Sequence, residues 1–136
     1  MGVNDSRPPH EFAIVACARW ESRFIVEWLN YYRAIGFDHV FLYCNDDDPQ
    51  ELYEKILPFT QGTAPFVTFR FYPYQGQQNL MYCHFIRNDL DKSKYVGFFD
   101  IDEFLRLQKN KTINEFIEQF SGDPECIMFN WVFFWS

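Results

Sequence analysis

Apolar and polar positions follow two rhythms along this chain, and the switches between them mark its elements. Phe12–Ala18 (FAIVACA) is a short unbroken apolar run, the pattern of a strand covered on both faces. From Glu21 to Ile35 the period turns helical. Phe24, Ile25, Trp28, Leu29, Tyr32 and Ile35 share one face, while Glu21, Arg23, Glu27, Asn30 and Arg33 lie mostly outside it. Gly36 predicts the helix stop. His39–Cys44 (HVFLYC) is a second strand, ended by the turn-forming run Asn45-Asp46-Asp47-Asp48-Pro49. Pro49 suits the start of a short helix over Gln50–Leu57, closed by Pro58.

Beyond a Gly/Thr/Pro loop, Phe66–Tyr72 alternates as a third strand. Gln77–Leu90 is the next predicted helix, with Leu80, Met81, His84 and Phe85 at compatible spacing, and Tyr95–Phe99 is a fourth strand. Thr112–Phe120 predicts a helix capped by Thr112, with Glu115 completing a capping box. Cys126–Trp135 is a last apolar strand. Alternation of this kind predicts an α/β fold: a mainly parallel sheet with helices on both faces. Ligands of such sheets sit at the carboxyl ends of the strands. The polar residues 1–11, with two prolines, read as a flexible segment ahead of one domain over 12–136, with no repeat or linker inside it. The chain stops on the very apolar FNWVFFWS, so the expectation is a domain cut short.

Composition narrows the function classes. Apolar residues at 48% and aromatics at 21% supply enough burial to exclude disorder, and 136 residues allow one core. A net charge of −7 without a basic stripe argues against a nucleic-acid partner held through its phosphates. A nucleoside diphosphate remains compatible, provided a divalent cation stands between the two sets of negative charge. Cys17, Cys44, Cys83 and Cys126 show no C-x-x-C spacing and read as small buried hydrophobes in a reducing compartment, not as zinc ligands. There is no signal-peptide core and no apolar run of membrane-spanning length. The expectation is a cytoplasmic protein, with peripheral membrane association compatible. The sequon Asn110-Lys111-Thr112 is treated as chance.

The sharpest candidate chemistry is Asp100-Ile101-Asp102 within FFDIDEF, where an apolar strand leaves the sheet. On an extended segment both carboxylates would face one side. Two hard oxygen donors suit Mn²⁺ or Mg²⁺, which would keep other positions for water and diphosphate oxygens and would neutralise charge on a departing diphosphate. The plain alternative is a solvated turn. Glu103 would point the other way, as a supporting residue or a partner for an arginine. At the second strand's end, Asn45 and Asp46 are the expected ligand contacts, with Asp47 and Asp48 serving the turn. Arg19, just after the first strand, could pair with phosphate or be a surface arginine. Glu21 would complement the helix dipole in the first helical turn. His84 reads as a satisfied core histidine, and Asp89 and Asp91, beside Lys92, as solvated. Gln77 and Gln78 could cap the helix or touch a sugar.

Several of these segments together resemble glycosyltransferase family 92 and related family-2-like enzymes. They are ARWESRFIVEWLNYYRAIGFDHVFLY (Ala18–Tyr43), then Cys44-Asn45-Asp46-Asp47, then YVGFFDIDEFL (Tyr95–Leu105). The resemblance runs from about Phe12 onward. It implies a GT-A fold, a Rossmann-like α/β domain, here its nucleotide-binding half. It implies that Asp100 and Asp102 form a metal–diphosphate motif, that Arg19 and Glu21 lie near the nucleotide, and that Asn45 and Asp46 sit at the base or ribose end. Gln77 or Gln78 resembles a family glutamine ahead of the metal strand, and Asn130-Trp131 the start of the acceptor side. The implied activity is metal-dependent, inverting transfer from a UDP-sugar to an acceptor hydroxyl, with the catalytic base beyond residue 136. The family often has histidine where Tyr32 stands, a departure expected to affect packing only. Two other readings stand beside this one: a truncated, catalytically inactive nucleotide-binding or interaction domain, and an unrelated D-x-D metal hydrolase.

Overall fold

The computed structural model describes residues 7–73, 78–122 and 124–130. Four strands, β1 (His10–Ala18), β2 (His39–Cys44), β3 (Val67–Phe71) and β4 (Ser93–Phe98), form an all-parallel sheet in the order β3-β2-β1-β4. The helices are α1 (Ile25–Ala34), α2 (Gln50–Ile56), α3 (Gln78–Asn88) and α4 (Ile113–Glu118), with 3-10 turns at Leu57–Phe59 and Leu90–Lys92. This is the α/β, Rossmann-like arrangement predicted. Among the described residues no helix is long and apolar enough to cross a membrane.

The strand order explains the sequence pattern. β1 and β2 are the interior strands, so β2 is buried along its whole length and β1 from Phe12 to Ala16, and both read as unbroken apolar runs. β3 and β4 lie at the edges and are only half-buried along most of their length. One face of the sheet (Phe12, Ile14, Ala16 and Ala18 of β1; Val40, Leu42 and Cys44 of β2) carries α1, α2 and α4. The other face (Ala13, Val15, Phe41, Tyr43) carries α3 through Met81 and Phe85.

Helix α1 is the main packing element. It buries Ile25, Trp28, Leu29 and Tyr32, each contributing roughly 2 kcal/mol over an exposed position. It starts later than its apolar period predicts. Trp20 takes a left-handed φ of 57°, and residues up to Phe24 form a turn in which Phe24 N donates to Glu21 O at 3.1 Å. The first acidic residue of the first turn is therefore Glu27, and Glu21 does not serve the helix dipole as expected. The helix ends as predicted at Gly36 (φ +104°), where Gly36 N reaches Arg33 O and Phe37 N reaches Tyr32 O at 3.1 and 3.0 Å. Thr112 caps α4 by accepting from Glu115 N at 3.2 Å, while the Glu115 carboxylate reaches Lys111 N at 2.9 Å, one residue before the cap.

Three further expectations are corrected. Asp89 is not solvated: it is fully buried, paired with Arg70 of β3 and, at 2.7 Å, with Lys92, and so ties the end of α3 to the sheet. Its burial pushes its carboxyl up, but hydrogen bonds and charge from Arg70 and Lys92 outweigh that and hold it below the usual range. The four cysteines are free thiols, yet only Cys44 is buried; Cys17 is half-buried and Cys83 and Cys126 are exposed. Cys126–Asn130 carries no strand pairing, and the rest of the predicted last strand lies outside the described residues.

Candidate functional site

The chain moves from β1 outward to β2 and β3, then crosses back over the sheet through α3 to place β4 on β1's free side. The strand order reverses between β1 and β4, and in open α/β sheets ligands bind in the crevice at that reversal. Three loops meet this edge: Arg19-Trp20-Glu21 from β1, Asn45-Asp46 from β2 and Phe99–Glu103 from β4.

The aspartate motif is not extended. β4 ends at Phe98, and Glu103 N donates to Asp100 O at 3.1 Å to close a four-residue turn. Ile101 points into the core, fully buried, which leaves Asp100 half-buried and Asp102 exposed on the turn. The turn is fastened to α1. Trp28 Nε1 donates to both Asp100 O and Glu103 O at 3.0 Å. The Tyr32 hydroxyl donates to Glu103 O at 2.8 Å and accepts from Leu105 N at 3.0 Å, and the Tyr31 hydroxyl donates to Leu105 O. Glu103 folds back so that its carboxylate accepts from Asp100 N at 3.0 Å. It is a staple of the turn and not a partner for an arginine. With its backbone committed, Asp100 has its carboxylate oriented by Gln78, whose Nε2 donates to Asp100 Oδ1 at 3.1 Å and to the Tyr82 hydroxyl at 2.9 Å. Gln77 lies outside the described residues.

The electrostatics show what else gathers here. The Glu21 carboxyl is pushed up to about 7 by burial and then by Asp102, Asp100 and Asp46, and its Oε2 is buried with no hydrogen-bond partner. Burial, then Glu21, Cys44, Asp100 and Asp46, push the Cys17 thiol up to about 12. Burial and then Asp100 lift the Tyr82 phenol to about 12. Glu21, Asp46, Asp100 and Asp102, from three strand ends, thus share one electrostatic neighbourhood. Arg19, the residue before Trp20, has its Nε buried without a partner and its guanidinium 4.3 Å from the Trp20 ring centroid.

Asp46 has a structural task that its position in the sequence did not show: both its oxygens accept from Trp20 N, at 3.0 and 3.1 Å. Asn45 is buried, and its N–H donates to Ala18 O at 3.2 Å, joining the ends of β2 and β1. Asp48 accepts from Gln50 N at 2.9 Å, the turn role predicted for it. His84 is half-buried with Nδ1 2.7 Å from the Tyr43 hydroxyl. It lies, with Arg70, Asp89 and Lys92, on a separate groove of about 580 Å³ against β3. There Arg70 and Lys92 are both engaged by Asp89, so the groove offers a ligand little uncommitted charge.

An orphaned carboxylate oxygen among mutually repelling acids is a site that a cation would relieve. Among the described residues, no three His, Cys, Asp or Glu side chains are placed to hold a metal by themselves. The donor set does not fit a closed cage. It does fit Mg²⁺ or Mn²⁺, ions that take one or two carboxylates and fill their remaining positions with water and phosphate oxygens. Trp28 and Tyr32 were missed as supports of the turn because helical spacing reads them as core, and Tyr31 because it lies off that face. The available signal was that buried Trp and Tyr tips seek a polar partner, but nothing in the sequence names that partner.

The fold and this edge define a Rossmann-like α/β domain with an acidic site at its strand-order reversal. The profile of glycosyltransferase family 92 matches residues 14–135, and the chain belongs to that family. A glycosyltransferase family 92 protein of Oryza sativa subsp. japonica is 29% identical over 118 residues, covering 87% of this chain and 20% of its own length. One from Ricinus communis is 28% identical over 116 residues (84% of this chain, 20% of its own length), and one from Arabidopsis thaliana 28% over 97 residues (70% and 16%). The chain thus spans about a fifth of the length of the curated relatives it matches. No solved structure matches it.

Proposed function

We propose that this domain binds the donor of a metal-dependent glycosyltransferase, and that the donor is a nucleoside-diphosphate sugar, in the first instance a UDP-sugar. The observation that carries the reading is the gathering of Glu21, Asp46, Asp100 and Asp102 at the strand-order reversal, with Glu21 Oε2 buried and unpartnered. Acids so placed repel a diphosphate unless a divalent ion mediates, and membership of family 92 supports the same reading.

Asp100 and Asp102 would hold the ion, Mn²⁺ or Mg²⁺, which when bound supplies charge neutralisation for the leaving diphosphate. The chain's own residues do the positioning. Trp28, Tyr32 and Glu103 fix the turn so that the Asp100 carboxylate needs no rearrangement, and Gln78 sets its orientation. Arg19 provides the nearby cationic donor for a phosphate oxygen. The transfer itself, by inversion, would have the acceptor hydroxyl attack the anomeric carbon as the bond to the diphosphate oxygen breaks. The hydroxyl proton would pass to a general base.

Calorimetric titration of UDP into the purified chain, with and without Mn²⁺, tests the reading. Binding should require Mn²⁺ and weaken at least about tenfold in Asp102→Ala. Metal-independent binding, or equal binding by the variant, would remove the assigned donor site.

A further inference from the structure

Trp20 is the residue at this edge that folding does not account for. Its φ of 57° is a left-handed conformation that is unfavourable for a bulky L-residue, and one that Gly or Asn would take more cheaply. The residue is 76% exposed, so burial does not offset that strain. The conformation is nonetheless held firmly, because Asp46 grips the Trp20 amide with both carboxylate oxygens at 3.0 and 3.1 Å. The Arg19 guanidinium lies 4.3 Å from the ring centroid. The result is a flat aromatic plate, fixed by its backbone, backed by a cation and otherwise open to solvent. Its sequence neighbours on either side, Arg19 and Glu21, each hold a buried polar atom without a partner. Strain kept at an exposed aromatic in such surroundings points to a ligand.

We propose that Trp20 is the platform on which the nucleobase of the donor stacks. The proposal rests on the diphosphate reading of the site and goes beyond it by placing the base. With phosphates at Asp100 and Asp102 on the β4 side, the loop from interior strand β1 lies between them and the end of β2, where Asp46 holds it. A nucleoside extending from the diphosphate toward β2 passes Trp20. A planar base matches a planar exposed indole, and because every base has a π-face the contact contributes affinity without choosing the base.

The test titrates inorganic pyrophosphate, and the tightest binder among UDP, GDP, CDP and ADP, each with Mn²⁺. The titrations use the unaltered chain, Trp20→Gly and Trp20→Phe. Glycine suits the left-handed φ, so Trp20→Gly removes the ring without straining the turn. Nucleotide affinity should fall about tenfold in Trp20→Gly and stay within about threefold in Trp20→Phe, with pyrophosphate affinity the same in all three. An unchanged nucleotide affinity in Trp20→Gly overturns the platform. So does a parallel loss of pyrophosphate, which would show that the residue only shapes the loop, or nucleotide binding no tighter than pyrophosphate in the unaltered chain. If the unaltered chain binds neither ligand, the donor-site reading falls as well.

Discussion

Tyr32 does two things through one oxygen atom. Its hydroxyl donates to the Glu103 carbonyl and accepts from Leu105 N–H, closing both ends of the segment that follows the aspartate turn. The departure from the family's histidine was expected to touch packing only, and the structure makes it a matter of hydrogen bonding. Tyr32→Phe keeps the ring but strips the Leu105 N–H of its buried partner and leaves the Glu103 carbonyl with Trp28 Nε1 alone, which should cost about 2 kcal/mol in urea unfolding. A loss below about 0.5 kcal/mol would show that the hydroxyl is dispensable. Gln78 presents the opposite case. Its side chain is exposed and orients the Asp100 carboxylate, so Gln78→Ala should leave stability within about 0.5 kcal/mol. Mn²⁺-dependent UDP affinity should nonetheless drop about three- to tenfold. Equal affinity in calorimetry would mean that the glutamine only caps its helix. The place of the acidic motif, Asp46, Arg19 and Glu21 at one edge of the sheet was legible because strand ends can be found from apolar runs, whereas the choice between Gln77 and Gln78 was left open. The fastening of the motif by Trp28 and Tyr32 was not, because helical spacing reports which face is buried and is silent on where a buried hydroxyl points.

Elements were legible in proportion to how far burial alone decides them. β2 runs over the residues its apolar stretch predicts, and the interior position of β1 and β2 follows from their unbroken runs. The start of α1 was misplaced because Trp20 breaks the backbone while the apolar period continues through Phe24. Asp89 was misread for a related reason. Its helix-end position and neighbouring Lys92 describe a solvated charge, and its true partner, Arg70, comes from a strand nineteen residues earlier. The link matters for how α3 seats on its face of the sheet, which among the described residues carries no other helix. Asp89→Ala strips the buried member and leaves Arg70 and Lys92 facing each other; their partial exposure lets water relieve some of that, so the expected loss is about 2 kcal/mol. Lys92→Ala leaves the Arg70 pair intact and, its side chain being 49% exposed, should cost under about 1 kcal/mol. If the two variants unfold at the same urea concentration, Asp89 is not the anchor of α3.

At the scale of the whole molecule, the buried His39 and the half-buried Glu21 set opposing pH dependences at opposite ends of the sheet. His39, at the amino end of β2, is buried between Pro65 O at 3.0 Å from Nδ1 and the Thr68 hydroxyl at 2.7 Å from Nε2. The carbonyl can only accept, so Nδ1 carries the proton, and in the neutral ring Nε2 accepts from the Thr68 hydroxyl. Burial, then the His10 ring stacked at 4.0 Å, depress its pKa to about 4 against 6.5 for the free side chain; Pro65 O, Asp38 and Asp89 oppose this and are outweighed. Its contribution is complete above pH 6.5 and is lost as pH falls through that window toward 4. Glu21, at the carboxyl end, is raised from 4.5 to about 7 by burial and by Asp102, Asp100 and Asp46. The folded chain keeps a proton there that the unfolded chain has released, so stability is highest below 4.5 and falls as pH rises toward 7. Between pH 5 and pH 7 the two slopes oppose each other, and the unaltered chain should show a shallow profile. Glu21→Gln removes one slope and exposes the other. The variant should lose on the order of 2 kcal/mol between pH 7 and pH 5 in urea unfolding, while the unaltered chain changes by less over the same range. A flat variant would mean that His39 carries no such slope. A parent profile as steep as the variant's would mean that the acids around Glu21 do not press on it in the folded protein. The crowding of charge on which the proposed cation rests would then be absent.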